Sequence, residues 1–160
     1  MDIKSLRRVV TGHDAQGRST VFIDATVSNV FSPRPGAAFS VIWSSDGGFP
    51  VSNDGNQDPS NRKIGTSIGS GTVFRIVSFG PGVTPRNHRT DSIDYAVVMA
   101  GEIDIVLETG PVRLRAGDVL VQRGTIHDWV NNGSEPCVMA FALIAAKPVT
   151  INERPLEAQG

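Results

Sequence analysis

Short apolar segments alternate with glycine, proline and small polar residues along most of the chain. The apolar segments are rich in Val, Ile and Phe, which favour strands over helices. No window keeps an apolar period of 3.6 residues beyond about two turns, so helices are expected to be short and peripheral. The pattern predicts strands at residues 7–11, 20–25, 38–44, 72–79, 94–100, 102–108, 112–115, 118–122, 128–131 and 137–145.

Turn residues agree with an antiparallel arrangement of these strands. The dipeptides Ala100-Gly101, Thr109-Gly110, Ala116-Gly117 and Asn132-Gly133 each separate two apolar runs, as hairpin connections do. The 17 glycines and 10 prolines together make up 27 of the 160 residues. This is about 17%, more than the roughly 12% usual for globular proteins. We therefore predict an all-β fold in which a meander closes into a small barrel or jelly roll.

Residues 44–70 break this rhythm. Ser, Gly, Asn and Asp dominate the segment, and its large apolar residues, Phe49, Val51, Ile64 and Ile68, are too few to form a layer. The sequence predicts a long loop here. Two interpretations stay open, a mobile surface insertion or a lid over the mouth of a barrel, because long loops in compact domains are often functional or disordered.

Length and charge limit the classes of protein that the chain can represent. Its 160 residues suit one domain at 1–160, with a core barrel at about 70–146 preceded by N-terminal strands within 7–44. A net charge of -1 argues against binding nucleic acid or an anionic membrane. No apolar run reaches the roughly 20 residues of a spanning helix, and no signal peptide is seen. With a single cysteine, Cys137, we expect a cytoplasmic protein.

Two of the three histidines lie in spaced motifs. The first motif reads Gly82-x5-His88-x-Thr90-x3-Asp94-x6-Gly101, and the second reads Gly117-x6-Gly124-x2-His127-x3-Asn131. This spacing resembles the two motifs of the cupin superfamily, and the chain is most similar to its small single-domain members. Residues 79–141 carry the resemblance. It implies an antiparallel double-sheet jelly-roll barrel with a site inside the barrel.

Two positions depart from the family motif. Thr90 stands where the family has its second histidine, and Asp94 stands where it has glutamate. Side chains one residue apart on a strand share a face, so His88 and Thr90 are expected to face the barrel interior. His88, Asp94 and His127 would then form a three-ligand face suited to Fe, Mn, Zn or Ni, with open positions for substrate. The threonine hydroxyl is a poor ligand, and the aspartate is shorter by one methylene.

Non-metal interpretations of the same residues stay open. His88 or His127 can act as a general base with Asp94 orienting the ring, since an ordinary histidine pKa of about 6.5 suits proton transfer near neutrality. Alternatively, both histidines are simply hydrogen-bonded inside a closed barrel.

Four further residues are candidates for the pocket. Counting alternately from Asp94 places Ala96 on the interior face, where its small side chain leaves room for a ligand. Trp129 is expected to share the face of His127. Thr90 neighbours His88 on the same face, and Arg75 interrupts an apolar strand. An unpaired guanidinium there would be costly, so Arg75 either faces outward, pairs with a carboxylate or holds an anionic substrate.

The resemblance and the candidate residues together predict a small-molecule enzyme. Its catalytic residues are expected to be His88, Asp94 and His127, and its reaction to be lyase, isomerase, dehydratase or oxygenase chemistry on a small polar metabolite. The alternative is a non-catalytic barrel that binds a small ligand or dimerises without metal. Cupins of this size are commonly dimers, so we also expect a homodimer whose N-terminal strands cross to the partner subunit.

Overall fold

The chain folds into antiparallel sheets. The structure is a computed structural model and describes residues 1–55, 57–66 and 68–160; residues 56 and 67, both in the predicted long loop, lie outside the described residues. The strands of the described part are β1 (Arg7–His13), β2 (Ser19–Thr26), β3 (Val30–Arg34), β4 (Ala37–Ser45), β5 (Thr72–Phe79), β6 (Ser92–Ala100), β7 (Glu102–Leu107), β8 (Gly110–Arg115), β9 (Val119–Arg123), β10 (Asp128–Val130), β11 (Cys137–Ala145), β12 (Val149–Ile151) and β13 (Arg154–Leu156). The helical elements among the described residues are two single 3-10 turns, Ile3–Ser5 and Pro59–Asn61.

Two sheets enclose the core. The larger sheet has six strands in the order β3-β4-β5-β11-β6-β9, and the smaller has three in the order β10-β7-β8. Every neighbouring pair is antiparallel. Inward-facing residues of both sheets form one buried cluster, which includes Val77, Val98, Ile103, Ile105, Trp129, Met139 and Leu143. The all-β double-sheet jelly roll predicted from the sequence is confirmed.

All ten predicted strands are present, but their connections differ from a meander. Strand β11 lies between β5 and β6, and β9 returns to pair with β6. Of the turns predicted as hairpins, Thr109-Gly110 joins two directly paired strands, β7 and β8. Ala100-Gly101 and Ala116-Gly117 instead carry the chain from one sheet to the other and back. The turn residues thus mark where strands end, while the partner of each strand is decided by burial of its apolar face.

The alternation predicted for β6 is confirmed. Ala96 and Val98 are buried in the core, whereas Tyr95 is 53% exposed on the outer face of the sheet. Asp94 therefore faces inward with them and is itself buried.

The segment between β4 and β5 is fixed at several points. Ile64 and Ile68 pack against the main core cluster. Ser60 is buried, and its carbonyl accepts a hydrogen bond of 2.7 Å from the side chain of Asn29. These contacts place the second half of the segment against the barrel. Within the described residues, no helix has the length and apolar character needed to cross a membrane.

Candidate active site

His88 and His127 meet as a backbone pair. Each residue donates its backbone N–H to the carbonyl of the other at 2.9 Å, which forms an isolated antiparallel bridge outside the named strands. The two imidazole rings lie on the same side of this bridge, with their centroids 4.3 Å apart and their planes at 45°. Both residues are buried. The prediction that two histidines distant in sequence converge is therefore met by the geometry of the chain.

Backbone carbonyls fix the tautomer of each ring. His88 Nδ1 lies 2.8 Å from the carbonyl oxygen of Arg86, and His127 Nδ1 lies 3.0 Å from that of Thr125. A carbonyl oxygen only accepts, so each Nδ1 carries the proton and donates it. The amide nitrogen of Gln122 also lies 3.1 Å from His127 Nδ1. That nitrogen has closer contacts with the carbonyl oxygen of Thr125, at 2.9 Å, and with its hydroxyl oxygen, at 2.5 Å, and these use both of its protons. In a neutral ring the opposite nitrogen, Nε2, is then an acceptor. Among the described residues, neither Nε2 has a hydrogen-bond partner.

Burial keeps both rings neutral. Burial and the nearby imidazole of His127 together lower the pKa of His88 to about 4. Burial also lowers the pKa of His127, although the carbonyl of Thr125 and the charges of Asp94 and Asp128 act in the opposite direction. At neutral pH the site therefore holds two uncharged imidazoles, each with a free basic nitrogen.

Asp94 supplies the carboxyl group of the site. Ser92, two residues earlier on β6, donates its hydroxyl to Asp94 Oδ1 at 2.6 Å. Burial raises the pKa of Asp94, while that hydrogen bond and the charge of Arg75 lower it. The net direction is upward, so this carboxyl takes up a proton more readily than an ordinary aspartate.

Arg75 faces the interior. It lies on β5 between the buried residues Val73 and Val77, and its guanidinium lies over the ring of Phe39, 5.9 Å from the centroid. Its Nε is buried and lacks a hydrogen-bond partner. Burial lowers its pKa to about 10, so it remains charged at neutral pH. Of the three interpretations given above, outward exposure is excluded by this placement.

These side chains surround one small cavity of about 70 Å³. It is lined by Pro33, Arg34, Ala37, Phe39, Thr66, Arg75, Val77, Phe79, Arg86, His88, Asp94, His127, Trp129 and Phe141. The structure thus brings five of the seven candidate residues to one place, namely His88, Asp94, His127, Arg75 and Trp129. Trp129 serves both roles considered for it, since it stacks on Phe79 at 5.6 Å and meets the His127 ring edge-on at 5.7 Å.

The other two candidates, Thr90 and Ala96, are buried but do not line this cavity. The chain bends at residue 91, between the His88 bridge and β6, so the face shared by His88 and Thr90 is not carried by one regular strand. Thr90 lines a separate surface pocket with Arg123. Phe141, the cross-strand partner of Ala96, lines the cavity instead of it. The prediction that Thr90 and Ala96 line the pocket is therefore wrong.

Three polar residues of the cavity wall were not predicted. Arg34 ends β3, a strand that the sequence pattern missed. Arg86 precedes His88 by two residues. In an extended chain this spacing puts both side chains on the same side, so it was the signal that could have identified Arg86. Thr66 belongs to the predicted long loop and accepts a hydrogen bond of 2.7 Å from Arg86. This loop therefore supplies part of the cavity wall.

The residues that line the cavity do not form the predicted metal site. Among the described residues, no three His, Cys, Asp or Glu side chains are arranged so that they could hold a metal ion. His88, Asp94 and His127 line the same cavity, yet the carboxylate is held by Ser92 and faces Arg75. The hydroxyl oxygen of Thr90 lies 2.9 Å from the hydroxyl oxygen of Ser92. The three-ligand face expected from the sequence is not formed.

Comparison with known proteins agrees with the fold. The profile of the cupin domain matches residues 75–144. The cupin-domain-containing oxidoreductase fogC of Aspergillus ruber is 37% identical, over 97% of this chain and 81% of that protein. Phomopsin biosynthesis cluster protein C' of Diaporthe leptostromiformis is also 37% identical, over 97% and 86%. The oxidoreductase virC of Hypocrea virens is 36% identical, over 91% and 79%. The chain therefore belongs to the cupin superfamily.

Proposed function

We propose that this cupin is an enzyme that moves a proton on a small carbonyl-bearing metabolite. The observation that supports the proposal is the pair of neutral imidazoles, each held by a backbone carbonyl at Nδ1 and left free at Nε2. A buried basic nitrogen beside a carboxyl of raised pKa is the arrangement that general acid–base catalysis needs.

His127 is the better base of the two. The charges of Asp94 and Asp128 stabilise an imidazolium at His127, although Arg86 opposes it. At His88, Arg86 and Arg34 both disfavour an imidazolium and no carboxylate offsets them. In the proposed step, His127 Nε2 takes the proton from the carbon beside a substrate carbonyl. The electron pair of the broken C–H bond forms a C=C bond to the carbonyl carbon, and the π pair of the carbonyl moves onto its oxygen to give an enolate. Return of a proton to another carbon completes an isomerisation. In a dehydration, the enolate instead expels a neighbouring hydroxyl, which leaves as water with the proton that His127 has taken up.

Exchange of substrate C–H for deuterium tests this step without knowledge of the natural substrate. Wild-type protein treated with EDTA would be incubated in D2O with a panel of short 2-oxo and 3-oxo carboxylates and matched neutral ketones, and exchange followed by proton NMR. We expect exchange with at least one compound, lost in His127→Gln and kept in His13→Gln, whose histidine is exposed on β1. Equal exchange with wild type and His127→Gln would contradict the proposal, as would exchange that appears only when metal is returned.

The names of the relatives favour a second candidate, an oxidoreductase reaction. In that reaction His127 would take the proton of a substrate hydroxyl. The carbon that bears this hydroxyl would give its hydrogen as hydride to a soluble nicotinamide-type acceptor and become a carbonyl carbon. Turnover that depends on the nicotinamide and proceeds without C–H exchange would favour this candidate. If neither activity is found although ligands bind, the non-catalytic binding barrel is the remaining interpretation.

A further inference from the structure

We propose that the substrate is an organic anion with an apolar body, held by Arg75 at its carboxylate and by a neighbouring groove along its hydrocarbon part. This inference rests on the proposed function in one respect, that the cavity around His88 and His127 receives the substrate.

Charge is the first argument. The cavity wall holds three guanidiniums, of Arg34, Arg75 and Arg86, against the single carboxyl of Asp94. With both imidazoles neutral, the wall carries a formal excess of positive charge. A small desolvated space of this kind favours an anion over a neutral or cationic ligand.

Among the described residues, Arg75 is the one of these three arginines with a buried nitrogen that lacks a hydrogen-bond partner. Arg34 donates its Nε to the carbonyl of Thr84 at 2.8 Å. Arg86 uses both terminal nitrogens, one on Thr66 and the other on the carbonyl of Gly160 at 2.6 Å. Arg75 has a buried Nε without a partner and forms no ion pair within 4.0 Å among the described residues. A buried donor of this type is costly unless a ligand satisfies it, and a carboxylate matches its planar fork.

Size is the second argument. A water needs about 10–15 Å³ of such space, so a cavity of about 70 Å³ has room for a carboxylate and a few neighbouring atoms only. Any larger body has to leave the cavity past its wall. Two larger open spaces share residues with that wall. Pro33, Arg34 and Ala37 also line one of about 560 Å³, whose other residues are small or polar, whereas Phe39 also lines one with several apolar side chains.

That second space is an open groove of about 500 Å³. Its apolar residues are Phe31, Phe39, Val41 and Ile64. Phe31 meets Phe39 edge-on at 5.5 Å and is 58% exposed, which leaves its ring available to a ligand. The guanidinium of Arg75 lies over the same Phe39 ring. A ligand that passes along this ring could therefore place its carboxylate on Arg75 and its hydrocarbon part in the groove.

A series of linear carboxylates separates the two parts of the proposal. Acetate, butyrate, hexanoate and octanoate, with octanamide as the uncharged counterpart, would be titrated calorimetrically into the full chain. In wild type we expect the dissociation constant to fall about two- to fourfold for each added methylene, since each buried methylene is worth about 0.8 kcal/mol or less in an open groove.

Two variants assign the head and the body. Arg75→Gln should weaken every carboxylate by a common factor of about 10 to 100 and leave octanamide unchanged, because a charge-assisted hydrogen bond is lost. Phe31→Ala should leave acetate unchanged and reduce the gain for each methylene. Arg115→Gln and Phe22→Ala, exposed residues outside both spaces, are the matched controls and should bind as wild type does.

Binding of octanamide to Arg75→Gln shows that this variant is folded, so a selective loss of carboxylates cannot be ascribed to unfolding. Equal carboxylate affinity in wild type and Arg75→Gln would overturn the anion site. A dissociation constant independent of chain length would overturn the groove. Both readouts are independent of turnover, so a failed deuterium-exchange experiment with intact carboxylate binding would contradict the proposed reaction and leave the assigned ligand class standing.

Discussion

His88 and His127 exchange both of their backbone hydrogen bonds and thereby hold their imidazole rings 4.3 Å apart. The bridge holds the two backbones together, and the contact of each Nδ1 with a carbonyl oxygen holds its ring in place. At this distance two imidazolium charges would repel strongly, so the pair takes up at most one proton readily. The two rings are therefore one titrating unit, and substitutions at either position report on the other.

The two histidines should differ in their importance for proton transfer. The charged form of His127 is stabilised by Asp94 and Asp128 against Arg86, while that of His88 is opposed by Arg86 and Arg34 with no carboxylate to offset them. We expect His127→Gln to lower the exchange rate about 100-fold or more, the usual range for a general base, and His88→Gln to lower it less. Rates measured by NMR with one substrate of the panel decide this. A larger loss in His88→Gln would transfer the role of base to His88.

Stability should fall on mild acidification because His88 resists protonation. In the unfolded chain its pKa is near 6.5, but in the fold burial, His127, Arg86 and Arg34 lower it to about 4. Between these pH values the unfolded state binds the extra proton, so the free energy of unfolding decreases as pH falls, by about 3 kcal/mol at most. His127 acts in the same direction, and the raised pKa of Asp94 acts in the opposite one.

Urea unfolding midpoints at pH 7.0, 5.5 and 4.5 measure this dependence. His88→Gln should flatten it, and His13→Gln, which removes an exposed histidine, should not. An identical pH dependence in wild type and His88→Gln would show that His88 is not buried in its neutral form.

Gly101 is required where the chain leaves β6 for the other sheet. Its φ is +78°, and a Cβ there would lie 2.7 Å from the carbonyl oxygen of Pro136. Gly101→Ala should therefore cost about 2 kcal/mol or more of unfolding free energy, from left-handed backbone and a clash. Gly82→Ala is the control, because its φ is +63° with no atom within 4 Å of the added Cβ. Equal losses in denaturant midpoint would mean that the clash is relieved at no cost.

We propose that the outer face of the larger sheet joins two copies of this chain. Exposed apolar side chains of β5, β6 and β9 lie on this face, namely Phe74, Tyr95, Val97, Val119 and Val121, and Ala140 and Ala142 of β11 lie between them. Such a continuous patch is unusual on a monomer and is typical of an interface. Light scattering after size exclusion should give the mass of a dimer for wild type and of a monomer for Val121→Asp. A monomeric wild type would contradict the proposal.

The sequence predicted the strands well because alternation and glycine turns are local signals. It missed β3 because this strand has only two apolar residues, Val30 and Phe31, and contains Pro33, and proline usually argues against a strand. The structure shows why proline is tolerated here, since β3 is the edge strand of the six-stranded sheet. With β3 unrecognised, Arg34 at its end could not be placed in the cavity wall.

The site was predictable in part for the same reason. Motif spacing brought His88, Asp94 and His127 together, and strand parity placed Trp129 on the face of His127. The sequence left the orientation of Arg75 open. The bend at residue 91 could not be read from the sequence, and it separates Thr90 from the cavity. Whether three donors form a metal face depends on distances between strands that are distant in sequence, which motif spacing does not fix.

The nitrogen-15 NMR spectrum of the histidine side chains tests the central claim most directly, that both buried rings are neutral with free Nε2. At pH 7, EDTA-treated protein should show His88 and His127 as neutral tautomers protonated at Nδ1, assigned by comparison with His88→Gln and His127→Gln. Rings protonated at both nitrogens, or at Nε2 alone, would contradict the account, because the site would then lack the basic nitrogen on which the proposed proton transfer depends.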